Sequence, residues 1–371
     1  MATTPSVVVV GAGAIGCSTA YHLARMGARV TVVDRDAIGS GASFHATGLL
    51  PPWRPSANPS LNALFDASLR MTLDLLPRLQ QETGVDTLFQ RGEGLRVALR
   101  EDQIPLGRAL AAAPTLAGAK TAYIEADEAR RLEPRLGPGV LGALWCDRFS
   151  QVDAYRYTLA LTQGAERAGA VFRTGMVTGL ERRGGRVAGV QTATGSIPCD
   201  AAVLAMGAWS DAASGWVGMS VPVRPVKGQN MRLWWDGRPL RYFMGQIGWG
   251  HLIQRADGYL SVGSTEEEGE GLSSQPTAAA RDLLMAHALA ILPTLDTAQV
   301  VRQFAGPRPV AKDGLPIMGP VPSLSGVYLN TGQGFSGIFL AAASGLHLAE
   351  LVLRGESSVA DPAPFLPARF A

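Results

Sequence analysis

VVVVGAGAIGCSTAYHLARMGARVTVVD, residues 7–34, reads as strand, glycine turn, helix, strand. Val7, Val8, Val9 and Val10 suit a strand buried on both faces of a parallel sheet. Gly11, Gly13 and Gly16 follow in G-x-G-x-x-G spacing, which gives a tight turn, close backbone approach to a pyrophosphate, and close packing of helix on strand. Ala14 and Ile15 open the helix, so its free N–H groups and positive dipole end meet the phosphates. Eighteen residues beyond Gly16 the second strand ends at Asp34, with Arg35 next to it. A carboxylate there accepts from both hydroxyls of an adenosine ribose and disfavours a 2′-phosphate. Strand, helix and acidic residue together predict a dinucleotide-binding unit; the alternative is an ordinary core βαβ unit.

The chain around this unit has 371 residues, room for two or three domains or for two interleaved ones. Hydrophobic residues make up 47% and charged residues 17%, the balance of a compact enzyme with a large interior. The net charge of +2 favours no polyanionic partner, so no nucleic acid is expected. Cys17, Cys146 and Cys199 form no C-x-x-C pair. Neither a disulfide framework nor a metal site is expected, and a reducing cytoplasm is the predicted setting. A first strand reached by Ser6 leaves no room for a signal peptide. The apolar run 337–353 is interrupted by Ser344, His347 and Glu350, which predicts a buried helix and no membrane span.

Residues 35–55, RDAIGSGASFHATGLLPPWRP, are rich in Gly and Pro and suit a segment running close along a flat ligand, or a plain surface loop. The 61–81 pattern predicts a helix, with Pro77 expected to kink or divide it. Strand-like runs begin after Gly84, and a charged helix over 125–132 ends at Pro134. Asp153 is placed to cap a helix running to about 168, Gly169 to end it, and Gly184 with Gly185 to turn a hairpin. Residues 221–304 hold Trp234, Trp235, Tyr242, Phe243, Trp249 and Tyr259, expected mostly in a core, with two or three at most lining a pocket. The acidic run 266–268 reads as a solvated loop, and 277–290 as a helix. Near the C-terminus, Gly332, Gly334 and Gly337 form a second glycine turn before a helix, without the following strand and acidic residue of a second fingerprint.

The opening unit, GASFHATGL at 41–49, VLAMGAWS at 203–210, GPRPVAKDGLP at 306–316 and GQGFSGIFL at 332–340 together resemble, in order, the family of FAD-dependent amine and amino-acid oxidoreductases. That family includes glycine oxidase, D-amino acid oxidase, sarcosine oxidase and dimethylglycine dehydrogenase. The resemblance implies an α/β fold: a Rossmann-like FAD-binding domain with a parallel sheet (1–83, 140–217 and 306–371), interleaved with a mainly antiparallel-sheet substrate domain carrying helices (84–139 and 218–305). It implies that Gly41, Ala42, Ser43, His45, Ala46, Thr47, Gly48 and Leu49 lie beside the ribityl chain and isoalloxazine ring. Val177 would hold the adenine through its backbone, and Gly207 and Trp209 would pack on the cofactor. Gly332, Gln333, Gly334, Phe335, Ser336 and Gly337 would aim the last helix dipole at the flavin edge where negative charge gathers on reduction.

By the same resemblance Arg308 is the carboxylate clamp, and its paired N–H donors match a carboxylate in one orientation. Flanked by Pro307 and Pro309, it could instead tie the two domains through a salt bridge. Three departures from the family stand out. Asp313 occupies the neighbourhood of the cysteine that links flavin in monomeric sarcosine oxidases. Phe335 replaces a second arginine of glycine oxidase. His251 stands where glycine oxidase has a carboxylate-holding tyrosine, and would donate a hydrogen bond, take a proton near neutral pH, or serve the structure alone. The setting of His45 is similar to that of the histidine joined to the flavin 8α-methyl group in dimethylglycine and sarcosine dehydrogenases, which implies a covalent bond; the alternative is a histidine packed beside the ring.

The implied activity is oxidation of the C–N bond of a small amino acid or N-alkyl amino acid to an imine, by hydride transfer to flavin N5. The electron acceptor would be oxygen, a quinone or a protein partner. Two other readings remain at this point: an FAD-dependent 2-hydroxy-acid dehydrogenase, which Arg308 would serve equally, and a non-catalytic FAD-binding subunit of an electron-transfer complex.

Overall fold

The computed structural model describes residues 4–53 and 56–371. Arg54 and Pro55, the end of the Gly/Pro-rich segment, lie outside the described residues. A six-stranded sheet carries, in spatial order, Ile317–Pro320, Val327–Thr331, Ala201–Leu204, Ser6–Val10, Arg29–Asp34 and Val171–Thr174. All neighbours pair in parallel except the edge strand Ile317–Pro320. Helices Ala14–Arg25, Pro59–Thr83, Ala154–Arg167 and Gly337–Arg354 bury one face of this sheet. A three-stranded antiparallel meander, Val177–Arg183, Arg186–Thr192 and Gly195–Pro198, packs on the other. The valines of the opening strand are therefore buried on both sides, as a parallel sheet with two covered faces requires.

The helix starts and stops follow local chemistry. Asp153 accepts the Arg156 backbone N–H and caps its helix, Thr277 does the same for Ala278–Ile291, and Asn58 caps Pro59–Thr83. Pro77 does not divide that last helix, which runs for 25 residues. Pro77 lies on its exposed side. Among the described residues, Gly334–Arg354 is long and apolar enough to cross a membrane by length and composition. Here it is mostly buried and packs against the first helix, Gly345 meeting Ser18, while Asn330 bridges Thr19 and the Ser344 carbonyl.

A nine-stranded, mainly antiparallel sheet forms the second layer. Its order is Gln299–Ala311, Val223–Trp234, Leu260–Gly263, Trp249–Gln254, Phe243–Gln246, Gln90–Ala98, Gly142–Gln151 and Leu49–Leu50, with Thr121–Glu125 also paired to Gly142–Gln151. This corrects the expected ranges. Residues 142–151, assigned from sequence to the cofactor domain, pair along their length with Gln90–Ala98, and the strand ending at Ala311 runs past the expected boundary at 305. The reason is that 142–151 is largely buried along its length and shows no clean alternation of apolar and polar residues, so its pattern alone fits either sheet.

Alternation along these strands sorts core from site. Leu95 and Val97, Met231 and Leu233, and Leu252 and Val262 enter a core closed by Ala126–Leu132 and Ala278–Ile291. Arg96, Asn230 and His251, at intervening positions, line a cavity on the opposite face.

Candidate active site

A continuous cavity of about 1040 Å³ runs from the first glycine turn to the face of the nine-stranded sheet. At its dinucleotide end, Gly11 has φ +109°, and a side chain on it would run into the Ala205 carbonyl; one on Gly16 would strike the Gly11 carbonyl. The tight turn and the close helix–strand contact are thus both enforced by backbone proximity. Gly13, Ala14 and Ile15 form the adjoining wall, with the Ala14 N–H donating to Ser43 Oγ at 3.0 Å. Asp34 also lines the cavity, and it stitches the turn: Oδ2 accepts from Ala12 N at 2.6 Å and Oδ1 from Asp36 N at 3.0 Å. The Arg35 guanidinium stacks over Trp209, 4.2 Å from its ring centroid, and Val177 and Gly207 complete this end.

Midway, Gly41, Ala42, Ser43, His45, Ala46, Thr47, Gly48 and Leu49 follow the cavity wall, opposite Gln333, Gly334, Phe335 and Gly337. Of the residues singled out in the sequence, Gly16, Gly332 and Ser336 lie behind the wall: Gly332 packs on Ala311, and Ser336 is buried. The His45 ring lies against the Gly306 backbone, and the His45 carbonyl accepts from Asn230 Nδ2 at 2.7 Å. Its Nδ1 is buried with no hydrogen-bond partner among the described residues. Burial, and then the nearby Arg302 charge, lower its pKa, so the imidazole is held neutral.

At the far end Arg308, on the strand Gln299–Ala311, lies flat across Gly228 of the neighbouring strand, where any side chain would collide with the guanidinium. The Phe335 ring covers the other side, 5.0 Å from Cζ. Nη1 donates to the Thr265 carbonyl and Nη2 to Ser264 Oγ, each at 2.9 Å, leaving further N–H groups on a side chain that lines the cavity. Among the described residues no carboxylate lies within ion-pairing distance of Arg308, so the domain-tying salt bridge is not made. Burial lowers its pKa, opposed by Glu266 and Glu267. Arg255, by contrast, is ion-paired to Asp153 at 2.6 Å and does not reach the cavity.

His251 is fully enclosed, its Nε2 within 3.2 Å of both Thr47 Oγ1 and Ser261 Oγ. Burial, reinforced by Arg96, His287, Arg255 and Arg308, holds its pKa well below the ordinary histidine value. The expectation that it takes a proton near neutral pH is therefore corrected: it is a neutral hydrogen-bonding group. The acidic run 266–268 lies, as expected, in a largely exposed loop. Glu266 lines the cavity, while Glu267 accepts from Gln229 Nε2 and sits 3.7 Å from buried Lys227. Of the six aromatics noted in 221–304, only Trp249 is on the cavity wall.

Sequence reasoning missed Arg96, Gly228, Trp53, Leu144 and Ile247, all on the wall, and Leu106 and Leu110 on an unforeseen helix, Gln103–Ala112. Arg96 was detectable as a charge between two core-facing residues, Leu95 and Val97; the others carry no such mark.

The cavity fits FAD: one arm is a glycine-lined cradle in which the Gly13 Cα faces open space save for Ser43 Oγ, and midway His45 presents an orphaned buried nitrogen. Residues 6–351 match the family described as FAD dependent oxidoreductase. A glycine oxidase of Pseudomonas aeruginosa is 36% identical over 381 residues, covering 98% of both chains. Among solved structures, glycine oxidase from Geobacillus kaustophilus superposes with a TM-score of 0.88 at 27% identity, covering 98% of both chains. Iminodiacetate oxidase from Chelativorans sp. gives 0.87 at 28% identity, covering 97% of this chain and 98% of its own. Cavity, fold and full-length sequence similarity agree, and the chain belongs to the FAD-dependent oxidoreductase family.

Proposed function

We propose that this enzyme oxidises the C–N bond of an amino acid or N-alkyl amino acid to an imine, which water then hydrolyses. The observation that carries the reading is Arg308: a half-buried guanidinium, clamped between Gly228 and Phe335, with no carboxylate partner among the described residues and with donors left over in the cavity. Such a group is poised for an external carboxylate. The segments of the six-stranded sheet hold the cofactor, and those of the nine-stranded sheet hold the substrate. When bound, FAD supplies the acceptor for the hydride leaving the substrate α-carbon.

This chain's own residues do the rest. Arg308 fixes the carboxylate, and with it the α-carbon. Thr47 and Ser261 hold the His251 ring in place through Nε2, and burial keeps it neutral. Gly13 and Ile15, at the start of the first helix, would hold the pyrophosphate through their N–H groups, and Asp34 would hold the ribose; all three line this arm of the cavity.

The test is a substrate screen under anaerobic conditions, followed by peroxide and dye-reduction assays that separate oxygen from quinone or protein acceptors. Bleaching by amino acids supports the reading; bleaching by 2-hydroxy acids alone, or by neither class, refutes it. A finer element of the proposal is a covalent bond between His45 and the flavin, supported by its neutral ring and unpartnered Nδ1 on the cavity wall. Acid precipitation followed by intact mass decides it. A protein heavier by one FAD, with the increment lost in His45→Ala, supports the bond, and a colourless pellet excludes it.

A further inference from the structure

The substrate end of the cavity carries more apolar wall than a carboxylate clamp requires. Beyond Arg308 and His251, its wall is built from Trp53, Leu110, Leu144, Phe149 and Ile247. Leu144, Phe149 and Ile247 belong to buried clusters on the cavity side of the nine-stranded sheet, and Trp53 joins those clusters, edge-on to Phe149 at 5.9 Å. Leu106, on the same helix as Leu110, is 43% exposed and carries the apolar surface to the mouth. The charge on this wall is Arg96, which donates to the Gln246 and Trp249 carbonyls. The remaining charged lining residues belong to the dinucleotide arm or, as Glu266 and Arg308, to the opposite side.

Glycine has nothing to place against these walls. An apolar chamber that stays wet gains nothing from water, whereas a ligand group that fills it gains the full transfer of its own surface and of the walls. We infer that the substrate carries a bulky apolar group, aromatic or branched aliphatic, on its α-carbon or on its amine nitrogen, seated between Trp53, Leu110, Leu144, Phe149 and Ile247 while its carboxylate meets Arg308. This rests on the reading of Arg308 given above. The chamber sets the selectivity, and the clamp sets the orientation.

The experiment separates the two. With the flavin-loaded enzyme, binding of acetate and of phenylacetate is followed by the change in flavin absorbance, without turnover. Phenylacetate is expected to bind on the order of 100-fold more tightly. Turnover is then compared for glycine, both enantiomers of phenylalanine, and N-benzylglycine. A kcat/KM advantage over glycine for phenylalanine places the group on the α-carbon, and one for N-benzylglycine places it on nitrogen. Leu110→Trp, which fills the chamber, should reduce the phenylacetate-to-acetate affinity ratio by about tenfold; Leu106→Trp at the mouth is the second variant, should the first not fold. Equal affinities for the two acids, a ratio untouched by both variants, or a glycine kcat/KM above those of all phenyl-bearing substrates overturns the inference. If no amino acid reduces the flavin while phenylacetate still binds more tightly, the chamber stands and the amino-acid oxidation reading falls.

Discussion

The two ends of the cavity are made of different material. The dinucleotide arm is built from backbone: Gly11 and Gly16 are held by contacts with carbonyl groups, and even Asp34 spends both carboxylate oxygens on the backbone N–H groups of Ala12 and Asp36. The substrate end is built from side chains that stand at alternate positions on long strands, Arg96, Asn230, His251 and Arg308 among them. A backbone site tolerates almost no change in residue type, because a Cβ in the wrong place has nowhere to go. A side-chain site keeps its fold while its chemistry is exchanged.

The largest effect that would test this contrast is expected at Gly13. Gly13→Val places its side chain in the cradle, where Ser43 Oγ at 3.4 Å is the nearest protein atom. It should leave far-ultraviolet circular dichroism unchanged and abolish flavin binding entirely. Full flavin occupancy with an unaltered spectrum would remove the basis of the backbone reading. At the other end, Arg308→Ala should retain FAD and lose about 2 to 5 kcal/mol of transition-state stabilisation, measured as kcat/KM, with Arg308→Lys recovering part of it. Near-normal kinetics would move the clamp elsewhere.

Gly228→Ala sharpens the comparison, since here a backbone constraint serves a side-chain site. The added methyl displaces the Arg308 guanidinium, at an expected cost of about 1 to 3 kcal/mol in kcat/KM with FAD retained. Loss of flavin in this variant would mean that the two ends are not separable.

The smallest effect is a pH response that should be missing. Because burial holds His251 neutral, the kcat/KM profile should show no limb from it between about pH 6 and 8, and a limb abolished by His251→Gln would refute this. Stability behaves differently. His22, His287 and His347 are each depressed from 6.5 to about 4 by burial, so the folded state binds fewer protons than the unfolded one. Their contribution is complete above about 6.5 and is lost as the pH falls towards 4. Thermal unfolding followed across that window should show a falling Tm, and a constant or rising Tm would contradict the assignment.

The same difference in material explains what the sequence made legible. The opening strand, the glycine spacing, Asp34 and the second glycine turn are short local patterns, and Gly11, Gly16 and Asp34 are each fixed by a contact with neighbouring backbone. Arg308 could be singled out because its motif is local as well. The chamber could not be. Trp53, Leu110 and Ile247 come from three separate places in the chain and Leu144 and Phe149 from one strand, Gly142–Gln151, and each taken alone looks like any core residue. The strand at 142–151 illustrates the limit: its composition fits both sheets, and only long-range pairing with Gln90–Ala98 decides between them. His251 lies on the cavity wall, but its protonation state depends first on its burial and then on Arg96, His287, Arg255 and Arg308, three of them distant in sequence.

The confinement of Arg308 between Gly228 and Phe335 also bears on handedness. A free arginine on a flexible stem would follow a carboxylate wherever a ligand offered it, giving up rotamer entropy in the process. This one has been immobilised by folding, so it surrenders little on binding and has little freedom to adapt. A substrate of either configuration meets the guanidinium in the same place. What then differs between mirror images is where the hydrogen on the α-carbon points, so the enzyme distinguishes enantiomers in the rate of the chemical step more than in the strength with which they are held.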